Sequence, residues 1–413
     1  MVALTECSLD NVNQLSRVLR GKTVVFIADV PTQGGATNSL LELSSTLQMQ
    51  YGMRCIVLTA QSSGFNKRLD SLKVENYVTG HRAFLVPKPQ CRWKMVPKII
   101  IFGIGWLLHY GHSIKNAESQ IDFEKVDIIH SNLPRNDIGE ALARKYSKPH
   151  ICHLREFSFK DFNCMSFRRN PAKFISDNST AMIAISKAVA DEWMRLGVEK
   201  DKVHVIYNGV DVDWIGANQA KDDEKTGGEE RGKCFRAVFL GGYSETKGID
   251  DVLEAMKALK RAGESIALDI YGGSTDKTRK KYNKHIRDNG LSGIVAFHGY
   301  DAGISDKLSK YDVALVCSKC EAFGRVVIEC NAAGVPVIGR AAGALPELIV
   351  EGETGLLYGN GHGSLDEKII EIKKDAATLK SMRSKAQAHA RNFTKEINAF
   401  NIASLYAEIL DAE

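Results

Sequence analysis

The feature that most constrains this chain is a pattern that occurs twice: an apolar run of strand length, a glycine turn, then a helix with one apolar face. In the first half, residues 24–28 contain no polar residue and lead to Gln33-Gly34-Gly35-Ala36. In the second half, residues 237–240 lead to Gly241-Gly242-Tyr243-Ser244-Glu245-Thr246-Lys247-Gly248, and a helix is expected over 249–261. A strand without polar alternation is buried on both faces, which is the condition of a parallel sheet covered by helices. Further strands are expected at 55–59, 126–130, 150–154, 182–185 and 203–206, and then at 266–271, 294–297, 313–317 and 336–338. Two successive sets of alternating strands and helices imply an α/β chain of two doubly wound, Rossmann-like domains.

Local signals divide the chain. The first helix is expected to open at Thr37 or Asn38, both good N-cap residues, and to close at Gly52. Ser186 reads as an N-cap after a strand, not as a nucleophile elbow. Residues 218–233 hold nine charged residues in sixteen and no large aliphatic, so they read as a solvated loop. The expected organisation is an N-terminal extension over 1–20, a first domain over 21–207, a second over 208–390, and a helical segment over 391–413 packing back on the first domain.

Charge and cysteine usage exclude several classes. The 413 residues carry 55 Lys/Arg against 50 Asp/Glu, a net +5, which is far from the polycation of a dedicated nucleic-acid binder. The charge is uneven, however: residues 1–205 hold 27 basic and 19 acidic side chains, so the first half is the cationic one. Nine scattered cysteines read as reduced thiols of a cytoplasmic protein. A lone Cys317-Ser-Lys-Cys320 pair is not a zinc site, and no metal-ligand cluster is evident. The first twenty residues, with Glu6 and Asp10 and no apolar stretch, do not read as a signal peptide. The most apolar stretch, 99–108, is about half the length that spans a bilayer. It reads first as a buried helix or loop. The alternative is an interfacial segment, in which Trp106 and the cations Arg92, Lys94 and Lys98 meet an anionic leaflet.

The chemistry-bearing residues gather on the turns. Glycine lets a backbone approach a phosphate or sugar, and a helix N-terminus adds free N–H groups and partial positive charge. Gly34-Gly35 and Gly241-Gly242 fit that description, although neither completes a dinucleotide fingerprint or a P-loop. Lys247, just before a helix start, opposes the helix dipole, so its expected role is to neutralise a phosphate. In Glu321-Ala-Phe-Gly-Arg-Val-Val-Ile-Glu329, Glu321 follows a strand and so falls at the carboxyl edge, where open α/β sheets bind ligands. Phe323 and Gly324 share its turn. Arg325 offers a guanidinium fork for a diphosphate, and the Glu329 carboxylate suits a vicinal diol.

Jointly, Glu321 and Glu329, Lys247-Gly248, Asn208-Gly209-Val210-Asp211 and Gly343-Ala344-Leu345-Pro346-Glu347 resemble the family-4 glycosyltransferases of GT-B fold, in order and spacing, from about Thr23 onward. The resemblance implies two Rossmann-like domains facing each other across a cleft and retaining transfer from a nucleotide diphosphate sugar, of UDP or GDP type, without a metal or other cofactor. Glu321 would contact the transferred sugar, Glu329 the ribose and Lys247 the diphosphate. Gly34, Gly35, Gly241, Gly242, Phe323, Gly324 and Arg325 would complete the donor site. His153-Leu154-Arg155-Glu156-Phe157 is similar to the histidine motif of bacterial surface-polysaccharide members. It places Gly35, His153 and Arg155 on the acceptor side, with His153 in the catalytic set beside Glu321 and Lys247; the bland alternative is a satisfied core histidine. The implied acceptor is a lipid-linked glycan met at the inner face of the plasma membrane. One departure stands out: the family often has arginine where this chain has Gly242, and Arg325 is expected to supply that charge. A nucleotide-sugar epimerase, a phosphorylase or a non-catalytic carbohydrate-binding subunit are the competing readings.

Overall fold

The computed structural model describes residues 8–28, 34–87, 95–157, 164–166, 168, 170–212 and 234–412. The expected loop at 218–233, Gln33 of the first turn, Glu6, and the cations Arg92 and Lys94 lie outside the described residues. The chain forms two compact units, one of Met1–Gly209 with Lys395–Glu413, the other of Val210–Thr394.

The first unit runs α1 (Leu9–Leu19), β1 (Thr23–Ala28), α2 (Gly35–Tyr51), β2 (Arg54–Thr59), α3 (Gly64–Ser71), β3 (Glu75–Val78), β4 (Leu85–Pro87), α4 (Met95–Glu118), β5 (Ile128–Ser131), α5 (Ile138–Tyr146), β6 (His150–Leu154), β7 (Cys164–Ser166), α6 (Pro171–Asp177), β8 (Ala181–Ala184), α7 (Lys187–Arg195) and β9 (Val203–Val205). Seven strands form one sheet in the order β3-β2-β1-β5-β6-β8-β9, every pair parallel. A short antiparallel ribbon pairs β4 with β7. Strand residues alternate between two buried faces, as the unbroken apolar run of β1 requires. Val24 and Phe26 pack with Leu40 and Leu47 of α2, whereas Val25 and Ile27 pack with Ile138 and Leu142 of α5.

The second unit runs β10 (Phe235–Phe239), α8 (Ile249–Arg261), β11 (Ile266–Tyr271), α9 (Asp276–Asp288), β12 (Val295–Gly299), β13 (Val313–Val316), α10 (Arg325–Ala332), β14 (Val337–Arg340), α11 (Leu345–Leu348), β15 (Gly355–Tyr358), α12 (Leu365–Lys374) and α13 (Ala376–Ala390). Its six parallel strands take the order β12-β11-β10-β13-β14-β15. The order reverses between β10 and β13, as it does between β1 and β5 in the first sheet. Side chains on the loops after those strands therefore flank a crevice at the carboxyl edge. The last helix, α14 (Lys395–Asp411), belongs to the first unit, where Ile402, Ala403 and Tyr406 are buried against the sheet face that carries α2.

Two local expectations are corrected. α2 opens at Gly35, not at Thr37 or Asn38; its N-cap Gly34 is extended and offers no side chain to the first turn. Close helix–strand packing sets that start: Thr37 is itself buried, so its hydroxyl is not at the cap. The stretch 99–108 is helical but not buried. It lies within the 24-residue α4, where Ile101, Ile104, Leu107 and Leu108 are exposed, and only the far end of the helix, at Ser113 and Ala117, enters the core. No helix among the described residues is long and apolar enough to cross a membrane.

Candidate functional site

The second unit brings three sequence-predicted turns together. The turn after β10 carries Gly241, Gly242 and Lys247, and ends at Gly248, the left-handed N-cap of α8 with φ +83°. The turn after β13 carries Glu321 and Phe323 and ends at Gly324, the left-handed N-cap of α10 with φ +104°. The turn after β14 lies against the second: the Ala344 amide donates to the Glu321 carbonyl at 2.8 Å. Since β10, β13 and β14 are neighbours in the sheet, all three turns share one edge.

Lys247 meets a carboxylate here. Its Nζ donates to Glu321 Oε2 at 2.8 Å across the switch point, with the lysine half exposed. Arg325 is turned back along its helix, with Nε 3.7 Å from Glu329 Oε1 one turn on. Charge on this edge is thus two cation–carboxylate pairs side by side, each able to exchange its partner for a phosphate or a hydroxyl. Phe323 is buried, its ring tilted against Phe393 at 6.2 Å between centroids, so it anchors the turn from beneath.

Gly242 receives a different explanation from the one read in sequence. With φ +58°, a Cβ on Gly242 would stand 2.2 Å from the Gly273 carbonyl oxygen, and one on Gly272 would stand 2.6 Å from the Gly242 amide. The two loops touch backbone to backbone, which leaves no room for a side chain at this place. Gly34 is the reverse case: its Cβ would point into open space, with nothing described within 4 Å. Packing against the described residues does not require glycine there.

In the first unit, His153 and Arg155 come together on and just after β6. Neither reading of His153 is complete: it is fully buried, yet only one of its ring nitrogens is satisfied. Nδ1 lies 3.2 Å from Arg155 Nη2 and 3.2 Å from His130 Nε2, whereas Nε2 has no hydrogen-bond partner among the described residues. Burial, helped by the Arg155 charge, holds the imidazoles of both His153 and His130 well below their ordinary pKa. Arg155 also donates to Asn132 Oδ1 at 2.9 Å and to Asn208 Oδ1 at 2.6 Å, and Asn132 donates to the Ala36 carbonyl at 3.4 Å. This chain ties the His153 motif to the turn of Gly34 and Gly35. Asn132, His130 and Tyr406 were not singled out in the sequence. The polar run His130-Ser131-Asn132 at a strand end was a usable signal, but nothing in the sequence marks Tyr406.

Ser186 caps α7, its hydroxyl accepting from the Val189 amide at 3.2 Å. Cys317 is buried and Cys320 exposed, and burial pushes the Cys317 pKa up to about 12. Among the described residues, no group of three or more His, Cys, Asp or Glu is placed to hold a metal ion.

Two doubly wound parallel sheets with glycine turns at their switch points are the two-domain α/β architecture of the GT-B fold. Residues 220–389 match the model of glycosyl transferases group 1, and residues 33–214 match that of glycosyltransferase family 4. The chain belongs to the family-4 glycosyltransferases. It is 26% identical over 317 residues to an uncharacterised glycosyltransferase of Methanocaldococcus jannaschii, covering 75% of this chain and 82% of that protein. It is 25% identical over 247 residues to the N-acetyl-alpha-D-glucosaminyl L-malate synthase of Bacillus anthracis, covering 58% of this chain and 63% of that enzyme. HepE of Anabaena, solved in complex with UDP, shares the fold at a TM-score of 0.74 and 20% identity, over 95% of this chain and all of that one.

Proposed function

We propose that this enzyme moves a sugar from a nucleotide diphosphate sugar to an acceptor hydroxyl with retention of anomeric configuration. The observation that carries this reading is the meeting of Lys247 and Glu321 at 2.8 Å where the strand order of the second sheet reverses. A diphosphate at that edge competes with Glu321 for the Lys247 ammonium and frees the carboxylate to face the transferred sugar. Arg325, released from Glu329, adds a second cation, and Glu329 then accepts from the two ribose hydroxyls. The N–H groups at the starts of α8 and α10 complete the anion site.

The reaction divides charge. As the anomeric C–O bond to the diphosphate breaks, negative charge grows on the leaving oxygen, where Lys247 and Arg325 stabilise it. Positive charge grows on the sugar, where Glu321 stabilises it. The acceptor oxygen bonds to the anomeric carbon on the face the diphosphate leaves, and its proton passes to the leaving phosphate. No carboxylate nucleophile is assigned. Gly34, Gly35, His153 and Arg155 of the first unit serve the transferred sugar and the acceptor.

UDP is the first nucleotide to test, because the fold neighbour HepE was solved with it; GDP is the second. The acceptor reading is a lipid-linked glycan of surface polysaccharide, met by a cytoplasmic, membrane-peripheral protein. The exposed row of Ile101, Ile104, Leu107 and Leu108 on α4, on the cationic half of the chain, supports it.

The test is incubation of purified protein with UDP- and GDP-sugars, reading nucleotide release, thermal shift and the anomeric configuration of the product. Stabilisation by one nucleotide class and α-product from α-donor are expected. Isomerised free donor without acceptor would move the assignment to epimerisation, and an inverted product would remove the retaining reading.

A further inference from the structure

A hydrogen-bond chain runs beneath His153 and starts on the C-terminal helix. The Tyr406 hydroxyl of α14 lies 2.5 Å from His130 Nδ1, and His130 Nε2 lies 3.2 Å from His153 Nδ1. Arg155 Nη2 approaches the same His153 Nδ1 at 3.2 Å. His130, His153 and Tyr406 are each fully buried.

Donor and acceptor capacity allows one assignment of protons along this chain. A guanidinium only donates, so His153 Nδ1 carries a lone pair and the ring hydrogen sits on Nε2. His130 Nε2, facing that lone pair, donates to it as well. His130 Nδ1 is then bare, and the Tyr406 hydroxyl donates to it. Arg155 is itself fixed by its bonds to Asn132 and Asn208. The chain ends at His153 Nε2–H, a buried donor with no partner among the described residues. Such unmatched buried donors are uncommon in folded proteins and call for an explanation, of which an acceptor brought by a ligand is one.

We propose that Tyr406, His130 and Arg155 are positioning residues that hold His153 as the Nε2–H tautomer, so that it donates to an oxygen of the bound sugar nucleotide. This rests on the reading of His153 as a substrate contact. It adds that the contact is a donor of fixed direction, set from the far end of the chain. An imidazole free to change tautomer would present a lone pair to that oxygen part of the time; the network removes that state before substrate arrives.

The test uses the full chain labelled with 15N-histidine, whose ring shifts separate a protonated from a bare nitrogen. At neutral pH the His153 signal is expected to show Nε2 protonated and Nδ1 bare. In Tyr406→Phe, which keeps the ring and the packing, His130 loses its donor, and a second population with Nδ1 protonated is expected at His130 and, only in molecules where the 3.2 Å contact with Arg155 is broken, at His153. In the same variant kcat should fall about tenfold, about 1.4 kcal/mol of transition-state stabilisation, with KM for the sugar nucleotide changed less than about twofold. His130→Gln, whose amide still donates toward His153 Nδ1, should recover more kcat than His130→Leu. A wild-type His153 protonated on Nδ1 overturns the proposal whatever the turnover, as does a Tyr406→Phe protein with unchanged tautomers. Shifted tautomers with unchanged kcat overturn the link to transfer. Absence of turnover with every sugar nucleotide, alongside the expected wild-type signature, fails the functional reading and not the chain of protons.

Discussion

Lys247 and Glu321 neutralise each other at a partly exposed edge, an arrangement worth about 0–1 kcal/mol to the fold. Under the proposed function, their use lies in what they release to a ligand. Lys247→Ala is expected to lower transfer roughly a hundredfold or more, as loss of one charge-stabilising donor does elsewhere, and to leave the thermal midpoint nearly unchanged; near-normal turnover in a folded variant would remove Lys247 from the site. Glu329→Ala should weaken nucleotide binding, read by titration with UDP and GDP. Gly242 behaves the other way. Its φ of +58° and the 2.2 Å approach to the Gly273 oxygen make Gly242→Ala a stability defect of about 1–3 kcal/mol, measurable by urea denaturation. The sequence singled out glycine and lysine in this turn. It did not show that one glycine serves a neighbouring loop, because Gly272 lies thirty residues on and its contact exists only in the folded sheet.

At the scale of elements, strands buried on both faces were legible because burial leaves a continuous apolar run: β6 and β11, and the helix α8, stand where the sequence places them. Of the four marginal strands, β9 and β12 fall on stretches the sequence marks, whereas β3 and β15 do not. β3, with the sequence Glu-Asn-Tyr-Val, is half buried at an edge and carries no apolar run. β15 begins at Gly355, whose Cβ would stand 2.0 Å from the Val337 oxygen, so a turn-like residue opens it. The apolar stretch of α4 was misread because an unbroken run does not say whether protein or another medium covers it. In the fold, Ile101, Leu107 and Leu108 are 67%, 66% and 72% exposed. Replacing all three by serine is expected to change stability by less than about 0.5 kcal/mol each and to abolish co-sedimentation with anionic vesicles. Binding by the unaltered protein that ignores both lipid charge and salt would remove the membrane reading.

Over the whole molecule, the two units differ in how they meet acid. In the first unit, burial holds His130 and His153 well below the ordinary histidine range, with Arg155 adding to the effect, and takes His150 down to about 4. Burial lowers His204 as well. In the second unit the corresponding group is the half-buried His389. An unfolded histidine takes up its proton near pH 6.5, whereas His130, His150 and His153 remain neutral well below that. From about pH 6.5 down to the folded values the unfolded chain therefore binds more protons, and stability falls as pH is lowered, by up to about 1.4 kcal/mol per pH unit for each buried histidine. Carboxylates held below their usual range, such as Asp269 and Asp301 of the second unit, act only near and below pH 4, where the unfolded carboxylates are themselves protonated. The window between about pH 6.5 and 5 thus belongs to the first unit. Hydrogen exchange followed by mass spectrometry, corrected for the pH dependence of intrinsic exchange, should show peptides of β1, β5, β6 and α14 losing protection from pH 7 to pH 5 while those of β10, β13 and α8 keep theirs. Unchanged protection in the first unit from pH 7 to pH 5 would mean that its buried histidines are protonated without cost. In that case the tautomer chain from Tyr406 to His153 would have no energetic standing either, since its neutrality and its acid sensitivity have one physical origin.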